Sequence, residues 1–485
     1  MKTIKIIFQF TFLLYSTFSF TQGTNAIQNG YKNDLHIYQE ILEKSHSGLY
    51  LYTPKPVFDS IFKQANHIVE NEDLSERDFY LLISNIHTQI RCGHSSTSPS
   101  EKIFQQIDTT KIVFLPFDVK FIKDSLILTK NFRSVDAGAQ IIAINGKTVE
   151  EITSDAFKIM SSDGYNETFK YRQLEQYFFY YYFILYGESN TIKLKYIPYN
   201  SKVPSVIEIN RLKEGDFTFE EKELEPYYLT FVNDSKAILT VNTFSTNTKI
   251  NQLKFFRFLK KSFKEIHKKG IETLIVDVRE NTGGDDGNDM RLASYLINES
   301  FSENKYRQLK TLELPIYPEY LTNQWKEMMG LKDKNDAKIV SKMQKTLHRE
   351  FYQAEDSLYY YKEKKIIHEK KRKYGFYGNK YILISGNVFS GGALFSALVR
   401  DKSNAVFIGE ETGGGYYRHT GSIPLEYQLP YSGIEISLFI VVAEQNVNQH
   451  LFPNGHGTRP HFEVYPTRES VLNGQDIILQ FVLNR

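Results

Sequence analysis

The sequence has a single cysteine, Cys92, among its 485 residues. One thiol cannot form an internal disulfide, and it cannot supply the ligands of a cysteine-based zinc finger. The chain also has no internal repeat and no low-complexity tract, which excludes a solenoid architecture. Its length is typical of two to four globular domains with ample cores.

The sequence also lacks a strong charge of either sign, because 59 Lys and Arg oppose 57 Asp and Glu. A chain close to neutral has no overall attraction for nucleic acid or for anionic membranes. We therefore expect neither as a partner of the chain as a whole. Aromatic residues, in contrast, are numerous, with 33 Tyr and 36 Phe, so we expect aromatic cores and grooves.

The first 22 residues have the pattern of a signal peptide. Lys2 and Lys5 precede an apolar run at residues 6–20, which is too short for a confident membrane span. No cysteine follows the run, so a bacterial lipoprotein anchor is excluded. We expect a protein exported to the periplasm or the extracellular space, with no integral membrane segment after signal removal.

Two segments predict a buried strand that ends in a turn rich in glycine. Residues 273–284 read TLIVDVRENTGG, and residues 381–397 read YILISGNVFSGGALFSA. In the second segment Ser390 lies between the strand and a predicted helix, where the first amides of the helix are free. The amides of Gly391 and of Gly283 or Gly284 are therefore candidate donors to an oxyanion next to a serine nucleophile.

Together these segments resemble the S41 family of serine peptidases, which includes the C-terminal processing and tricorn-like proteases. The resemblance rests on DVRENTGG at 277–284, FSGG at 389–392, GEETGG at 409–414 and GTRPHFEV at 457–464, in the family's order. It implies an α/β multidomain protein with a ClpP/crotonase-like α/β catalytic core at about 225–485. It also implies a serine peptidase that needs no metal and no organic cofactor.

A second resemblance, to the PDZ domain, covers about 111–215. Residues 134–151 match the PDZ pattern Gly-Asp-x-Ile-x-x-Ile-Asn-Gly, except that Ala139 replaces the usual aspartate. PDZ domains bind an extended peptide by strand addition, which would place Leu115 and Phe117 against the substrate. Because Pro116 removes one backbone donor, a spacer that only packs against the core is an equal alternative.

The base that activates Ser390 is predicted to be His94. Processing proteases of the S41 family use a lysine just after Gly-x-x-Thr-x-Gly, but this chain has Gly415 there. Tricorn-like relatives take a histidine from the N-terminal part of the chain, and RCGHS at 91–95 offers His94 in a helical domain at 28–110. An imidazole suits proton transfer in both directions. Pairing of Cys92 with His94 is the weaker alternative.

The residue that orients His94 is left open by the sequence. The downstream acid of the tricorn-like pattern is absent, and the candidates are Asn454, Glu410, Glu411 and Glu444. Glutamate three residues after the nucleophile is replaced by Ala393. Because of these gaps, a competing hypothesis is a catalytically weak or inactive protein that binds peptides or apolar ligands. A third hypothesis is an esterase, which would use the same chemistry on small acyl substrates.

Residues 301–378 are predicted to be a helical insert between the two halves of the core. Helical periodicity covers about 337–373, and the insert is interpreted as a lid over the groove. Its basic run EKKRK at 369–373 is interpreted as a solvated helix end in preference to a phosphate site.

Overall fold

The computed structural model describes residues 23–105, 118–187, 189, 191–210, 224–331, 335–362 and 367–485. The predicted signal peptide, Leu115 and Phe117 lie outside the described residues. No helix in the described ranges is both long enough and apolar enough to cross a bilayer.

The chain begins with helices that pack through aromatic and aliphatic side chains. A Ser75–Asp78 capping box starts the third helix, since each residue's side chain bonds the other's backbone amide. The elements are α1 (Gly23–Ser45), α2 (Lys55–Asn71), α3 (Glu76–Thr88), β1 (Ser96–Ser98) and α4 (Glu101–Gln105).

The next unit is an antiparallel sheet with three helices. Its strand order is β2-β3-β4-β6-β7, with β5 paired to β4. The aromatic run at 177–186 forms α7, whose Phe178, Tyr182, Phe183 and Ile184 are buried. The elements are β2 (Val119–Ile122), β3 (Ser125–Leu128), β4 (Gln140–Ile144), β5 (Lys147–Thr148), α5 (Val149–Phe157), α6 (Thr168–Gln176), α7 (Phe178–Tyr186), β6 (Thr191–Ile197) and β7 (Ser205–Asn210).

The α/β core has two halves that are separated by the insert. The first half contains β8 (Tyr227–Phe231), β9 (Lys236–Val241), α8 (Lys249–Lys269), β10 (Thr273–Asp277) and α9 (Asn288–Ala293). The insert contains β11 (Phe301–Ser302), β12 (Asn304–Leu309), a 3₁₀ turn (Pro318–Tyr320), α10 (Asn323–Met328), α11 (Asp336–Glu350), β13 (Phe351–Gln353), β14 (Tyr359–Tyr361) and β15 (His368–Glu369). The second half contains β16 (Asn379–Ile384), α12 (Gly391–Lys402), β17 (Val406–Gly409), β18 (Arg418–Gln428), β19 (Glu435–Gln445), β20 (Phe462–Glu463), α13 (Arg468–Leu472) and α14 (Ile477–Leu483).

The core sheet has the order β20-β17-β16-β10-β9-β8. All neighbours are parallel except β8, which runs antiparallel to β9. Parallel strands present their carboxyl ends at one edge, where α/β sheets bind ligands. The DVRENTGG loop after β10 and the serine turn after β16 therefore meet there.

The insert differs from the helical lid that the sequence predicts. Its helix α11 ends at Glu350, and β13, β14 and β15 follow within the range expected to be helical. Strands β12, β14 and β13 extend an antiparallel sheet with β19, β18 and β1. The tyrosines at 359–361 favour strands, and cross-strand pairing overrides the helical periodicity there.

The insert packs together with the N-terminal helices and not as a separate flap. Trp325, Ile339 and Leu347 share one buried cluster with Tyr38 and Phe79. Burial of this apolar surface stabilises the contact between the two units. The insert is therefore part of the scaffold that carries the antiparallel sheet.

Candidate active site

Ser390 lies in the tight turn between β16 and α12 and is partly exposed. Its backbone has φ +48° and ψ −123°, a conformation that an L residue rarely adopts and that costs free energy. Residues with such a strained backbone are concentrated at functional sites. Val388 N–H donating to the carbonyl of Ser385 (3.0 Å) and Phe389 N–H donating to the carbonyl of Asn281 (3.1 Å) hold the turn.

The double-glycine loop lies directly against this serine. A Cβ added to Gly283 would stand 2.7 Å from Ser390 Cβ and 2.9 Å from Gly391 N. Gly283 also has φ +106°, which glycine adopts without the usual penalty. The structure therefore brings Ser390, Gly391, Gly283 and Gly284 together, and only glycine allows the approach.

The amides of this cluster are not all free. Gly283 N–H donates to Asn281 Oδ1 (2.9 Å), and buried Asn281 also donates from Nδ2 to the carbonyl of Val241 (3.0 Å). The N–H groups of Gly284 and Gly391 donate to no group among the described residues. The expectation that Gly283 or Gly284 supplies a donor is thus narrowed to Gly284, because Asn281 engages the other amide.

His94 lies beside the residue that precedes the serine. Its ring centroid is 4.5 Å from that of Phe389, 5.4 Å from Phe439 and 5.7 Å from His419. The loop that carries it is fixed because β1 pairs with β19, with Ser96 opposite Ser437. Burial among these rings, and to a lesser extent His419, lowers the pKa of His94 to about 3, which keeps the imidazole neutral at neutral pH.

No hydrogen bond joins His94 to Ser390 among the described residues, and His94 Nδ1 is buried without a partner. Catalytic hydrogen bonds of unliganded enzymes are often long and tighten only with substrate. None of the four residues considered for orienting the histidine bonds to it, and Glu444 instead accepts from the Tyr306 hydroxyl (2.8 Å). Glu410 accepts from Gly386 N–H (2.9 Å), Glu411 contacts His456 Nδ1 (3.2 Å), and Asn454 is exposed.

Cys92 has the environment of an inert thiol. It is buried, and its Sγ contacts the Ser95 hydroxyl (3.3 Å) and the carbonyl of Thr420 (3.6 Å). Burial, with Asp163 as the next cause, raises the pKa of Cys92 to about 12. A thiol that stays protonated is a poor nucleophile, so the geometry favours Ser390 over Cys92.

Asp163 is a site residue that the sequence analysis missed. Its buried carboxylate accepts from Gly93 N–H at Oδ1 (2.8 Å) and from Gly415 N–H at Oδ2 (3.1 Å). It therefore ties the loop of His94 to the glycine loop after β17. The signal in the sequence is SSDGYN at 161–166, an Asp-Gly pair that by itself indicates only a turn.

The segment that follows Asp163 also contributes to the site. The ring of Phe169 stacks on Phe389 with centroids 4.6 Å apart. Asn166 Nδ2 donates to the carbonyl of Thr412 (2.9 Å) and to Glu411 Oε1 (3.1 Å). The site is thus built from the upstream sheet unit as well as from the α/β core.

Replacing Asp163 by asparagine is expected to flatten the pH dependence of stability. Burial raises the pKa of Asp163 to about 6, above the value of about 4 for an unfolded chain. The folded state therefore binds the proton more tightly, so the contribution of Asp163 to stability is present at low pH and is lost, by about 3 kcal/mol, as the pH rises from about 4 through 6. Urea unfolding at several pH values checks this.

The control for that measurement is Asp234→Asn, which removes an exposed carboxylate. We expect the control to follow the parent chain between pH values of about 4 and 7. An Asp163→Asn variant whose free energy of unfolding falls as steeply as that of the parent would contradict the assignment.

Residues 236–464 match the family model described as peptidase family S41. The matched range begins at the first residue of β9 and includes the double-glycine loop, Ser390 and the GEETGG segment. This domain belongs to peptidase family S41. The resemblance inferred from four short motifs is confirmed for this part of the chain.

Solved structures share the fold of the S41 domain and of the segments around it. Mature CPAF is 15% identical, with a TM-score of 0.63 over 94% of this chain and 97% of that chain. Mature CPAF complexed with lactacystin is 14% identical, with the same TM-score over 95% and 100%. A mutant of CPAF is 12% identical, with a TM-score of 0.61 over 95% of this chain and 98% of that chain.

A comparison of the sequence with curated proteins gave no match. At 14–15% identity, the likeness to CPAF establishes the fold and no more. The α/β multidomain architecture is thus confirmed for the S41 domain and its surroundings.

Proposed function

We propose that this chain is an exported serine peptidase that hydrolyses peptide bonds of extended or unfolded polypeptides. The observation that carries the proposal is the contact between Gly283 and Ser390, which leaves the amides of Gly284 and Gly391 free beside the hydroxyl. A nucleophile next to two unpaired donors is the arrangement that acyl transfer requires. The S41 family match supports the same reaction class.

In the first half of the reaction, Ser390 Oγ attacks the carbonyl carbon of the scissile bond. His94 accepts the hydroxyl proton, and the oxyanion that forms accepts from the N–H groups of Gly284 and Gly391. Each such donor contributes about 3–4 kcal/mol to the transition state. His94 then gives the proton to the leaving amine, and the C–N bond breaks.

In the second half, water attacks the acyl ester on Ser390. His94 takes a proton from the water and returns it to the serine oxygen, which releases the acid product. Every group in these steps is a side chain, a backbone amide or water. We therefore propose no metal and no organic cofactor.

Burial keeps the imidazole of His94 unprotonated in the free protein, which is the form that can accept the serine proton. The rings of Phe389 and Phe439 flank the imidazole and exclude water from its faces. A dry site strengthens the attraction between the imidazolium formed in the reaction and the oxyanion. Capture of peptides at Leu115 and Phe117 by the PDZ-like unit remains a further part of the proposal.

The test is covalent labelling of the full mature chain by a fluorophosphonate. Ser390 Oγ attacks phosphorus and fluoride leaves, so the adduct adds a fixed mass to one peptide. We expect mass spectrometry to place the label on the peptide that contains Ser390, and we expect Ser390→Ala to abolish it. Hydrolysis of a casein-like protein should be lost in the same variant.

Ser245→Ala is the matched control, because Ser245 is an exposed serine next to the double-glycine loop. The control variant should be labelled by the fluorophosphonate, and should hydrolyse the casein-like protein, as the parent chain does. If the parent protein stays unlabelled but still binds peptides, the proposal is wrong and the chain is a peptide-binding protein. If the protein hydrolyses short esters but not protein chains, it is an esterase and not a peptidase.

A further inference from the structure

Helix α8 carries a continuous basic surface that the proposed peptidase reaction does not use. Eight cationic side chains lie on its 21 residues, and the only acid is Glu265. All eight are exposed; they are Lys249, Lys254, Arg257, Lys260, Lys261, Lys264, Lys268 and Lys269. The whole chain carries a formal charge of only +2, so this concentration of positive charge is a local feature of α8.

The helical repeat places these cations opposite the core. Phe255, Leu259, Phe263 and Ile266 are buried and form one stripe. At 100° per residue, Arg257, Lys261, Lys264 and Lys268 fall on the opposite side. The basic face therefore points outward along a helix about 30 Å long. We call this surface, with the eight cations listed above, the α8 basic face.

The cations of this face are unpaired within the part of the chain that the structure describes. Lys254 donates to Asn251 Oδ1 (3.3 Å), and Lys269 lies 4.9 Å from the ring of Phe231. None of the eight forms a salt bridge with a described residue, whereas Lys55 on α2 pairs with Asp59. An unneutralised cluster retains its field for an external anion.

A second group of cations extends the α8 basic face at the end of the helix. The ring of His267 on α8 lies 5.9 Å from that of Tyr374, and Lys373 lies 5.6 Å from the same tyrosine ring. Lys370 and Lys371 are exposed just before it. These lysines belong to the EKKRK run, and the structure places them in the irregular segment that follows β15 and not at a helix end.

Exposed apolar side chains lie among the cations. Ile250 and Leu253 are 69% and 47% exposed, and the helical repeat places both on the α8 basic face. Tyr377 is 61% exposed and follows the EKKRK run. Apolar side chains have no favourable partner on a nucleic acid backbone, but they insert into the boundary between lipid headgroups and acyl chains.

We propose that the α8 basic face docks the protein on an anionic phospholipid surface. The lysines and arginine face the headgroups, and Ile250 and Leu253 enter the interface at the start of the helix. Each cation near such a surface contributes to binding, and the contribution decays within the screening length of the salt. The helix lies on the membrane and does not cross it.

The docked orientation brings the site edge of the sheet near the lipid. Gln252 on the first turns of α8 donates to the carbonyl of Asp286 (3.4 Å) and to Asn288 Oδ1 (3.1 Å), just beyond the double-glycine loop. The apolar end of the basic face is therefore the end closest to Ser390.

The test is co-sedimentation of the full mature chain with vesicles. We expect binding to phosphatidylglycerol–phosphatidylcholine vesicles at a salt concentration of about 0.1 M, and loss of binding near 1 M, where screening is almost complete. Phosphatidylcholine vesicles alone should not bind. Replacing Lys260, Lys261 and Lys264 together by glutamine should lower the partition coefficient on the order of 100-fold.

The matched control replaces Lys338, Lys342 and Lys345 by glutamine, which removes the same charge from the exposed face of α11. It should bind vesicles as the parent does, and circular dichroism should show both triple variants folded. The proposal is overturned if the parent does not sediment with anionic vesicles, if the control loses as much binding, or if short duplex DNA binds more tightly than the vesicles.

Discussion

His94→Gln is expected to lower kcat for peptide hydrolysis by about 10²–10⁴-fold. Glutamine keeps a polar side chain of similar reach between Phe389 and Phe439, but it cannot accept and return a proton. Binding of an extended substrate relies on groups other than the imidazole, so KM should change much less. Steady-state kinetics on a peptide of fixed sequence measures both parameters.

The control for that substitution is His456→Gln. His456 lies beside Glu411 and Arg459 and makes no contact with the serine turn, so its variant should keep nearly the full rate. His419 is the stronger competitor, since its ring is 5.7 Å from that of His94. A His419→Gln variant that loses activity while His94→Gln keeps it would reassign the base.

Gly283→Ala is expected to reduce kcat by about 10³-fold, because it displaces both the nucleophile and an oxyanion donor. The added methyl group would overlap Ser390 Cβ and Gly391 N, so either the loop or the serine turn must move. Movement of the loop also carries the Gly284 amide away from the developing charge. The loss should appear in kcat and in the rate of fluorophosphonate labelling.

Gly270→Ala separates this local overlap from the general penalty of a positive φ. Gly270 ends α8 with φ +66°, and an added Cβ there meets no atom within 4 Å. The Gly270→Ala variant should lose about 1–2 kcal/mol of its free energy of unfolding and should keep the kcat of the parent chain. Equal kinetic losses in the two variants would show that the double-glycine loop acts only through stability.

The proximity of Ser390 to the double-glycine loop could be predicted from the sequence because both follow strands that periodicity identifies. Unbroken apolar runs at 273–276 and 381–384 indicate buried strands, and both are strands of one parallel sheet. Parallel strands end at one edge, so Gly283 and Ser390 are adjacent although 106 residues separate them in the sequence. The family motifs added the chemistry expected at that edge.

Other features of the fold and of the candidate site depend on contacts between distant segments, which no local sequence pattern encodes. Asp163 belongs by sequence to the upstream sheet unit, yet its carboxylate bonds to Gly93 and Gly415. The prediction of helix through residue 373 was wrong because pairing with β12 determines the structure of β14. Asn281 engages the Gly283 amide through a side chain whose orientation only the folded loop defines.

The pairing of β1 with β19 has a consequence for biosynthesis. Ser96 pairs with Ser437, which lies 341 positions later in the sequence. A nascent chain therefore lacks the strand against which the loop of His94 rests until β19 has also been translated. If His94 and Ser390 act as proposed, a polypeptide that still lacks β19 has no fixed position for its catalytic base and should have no peptidase activity.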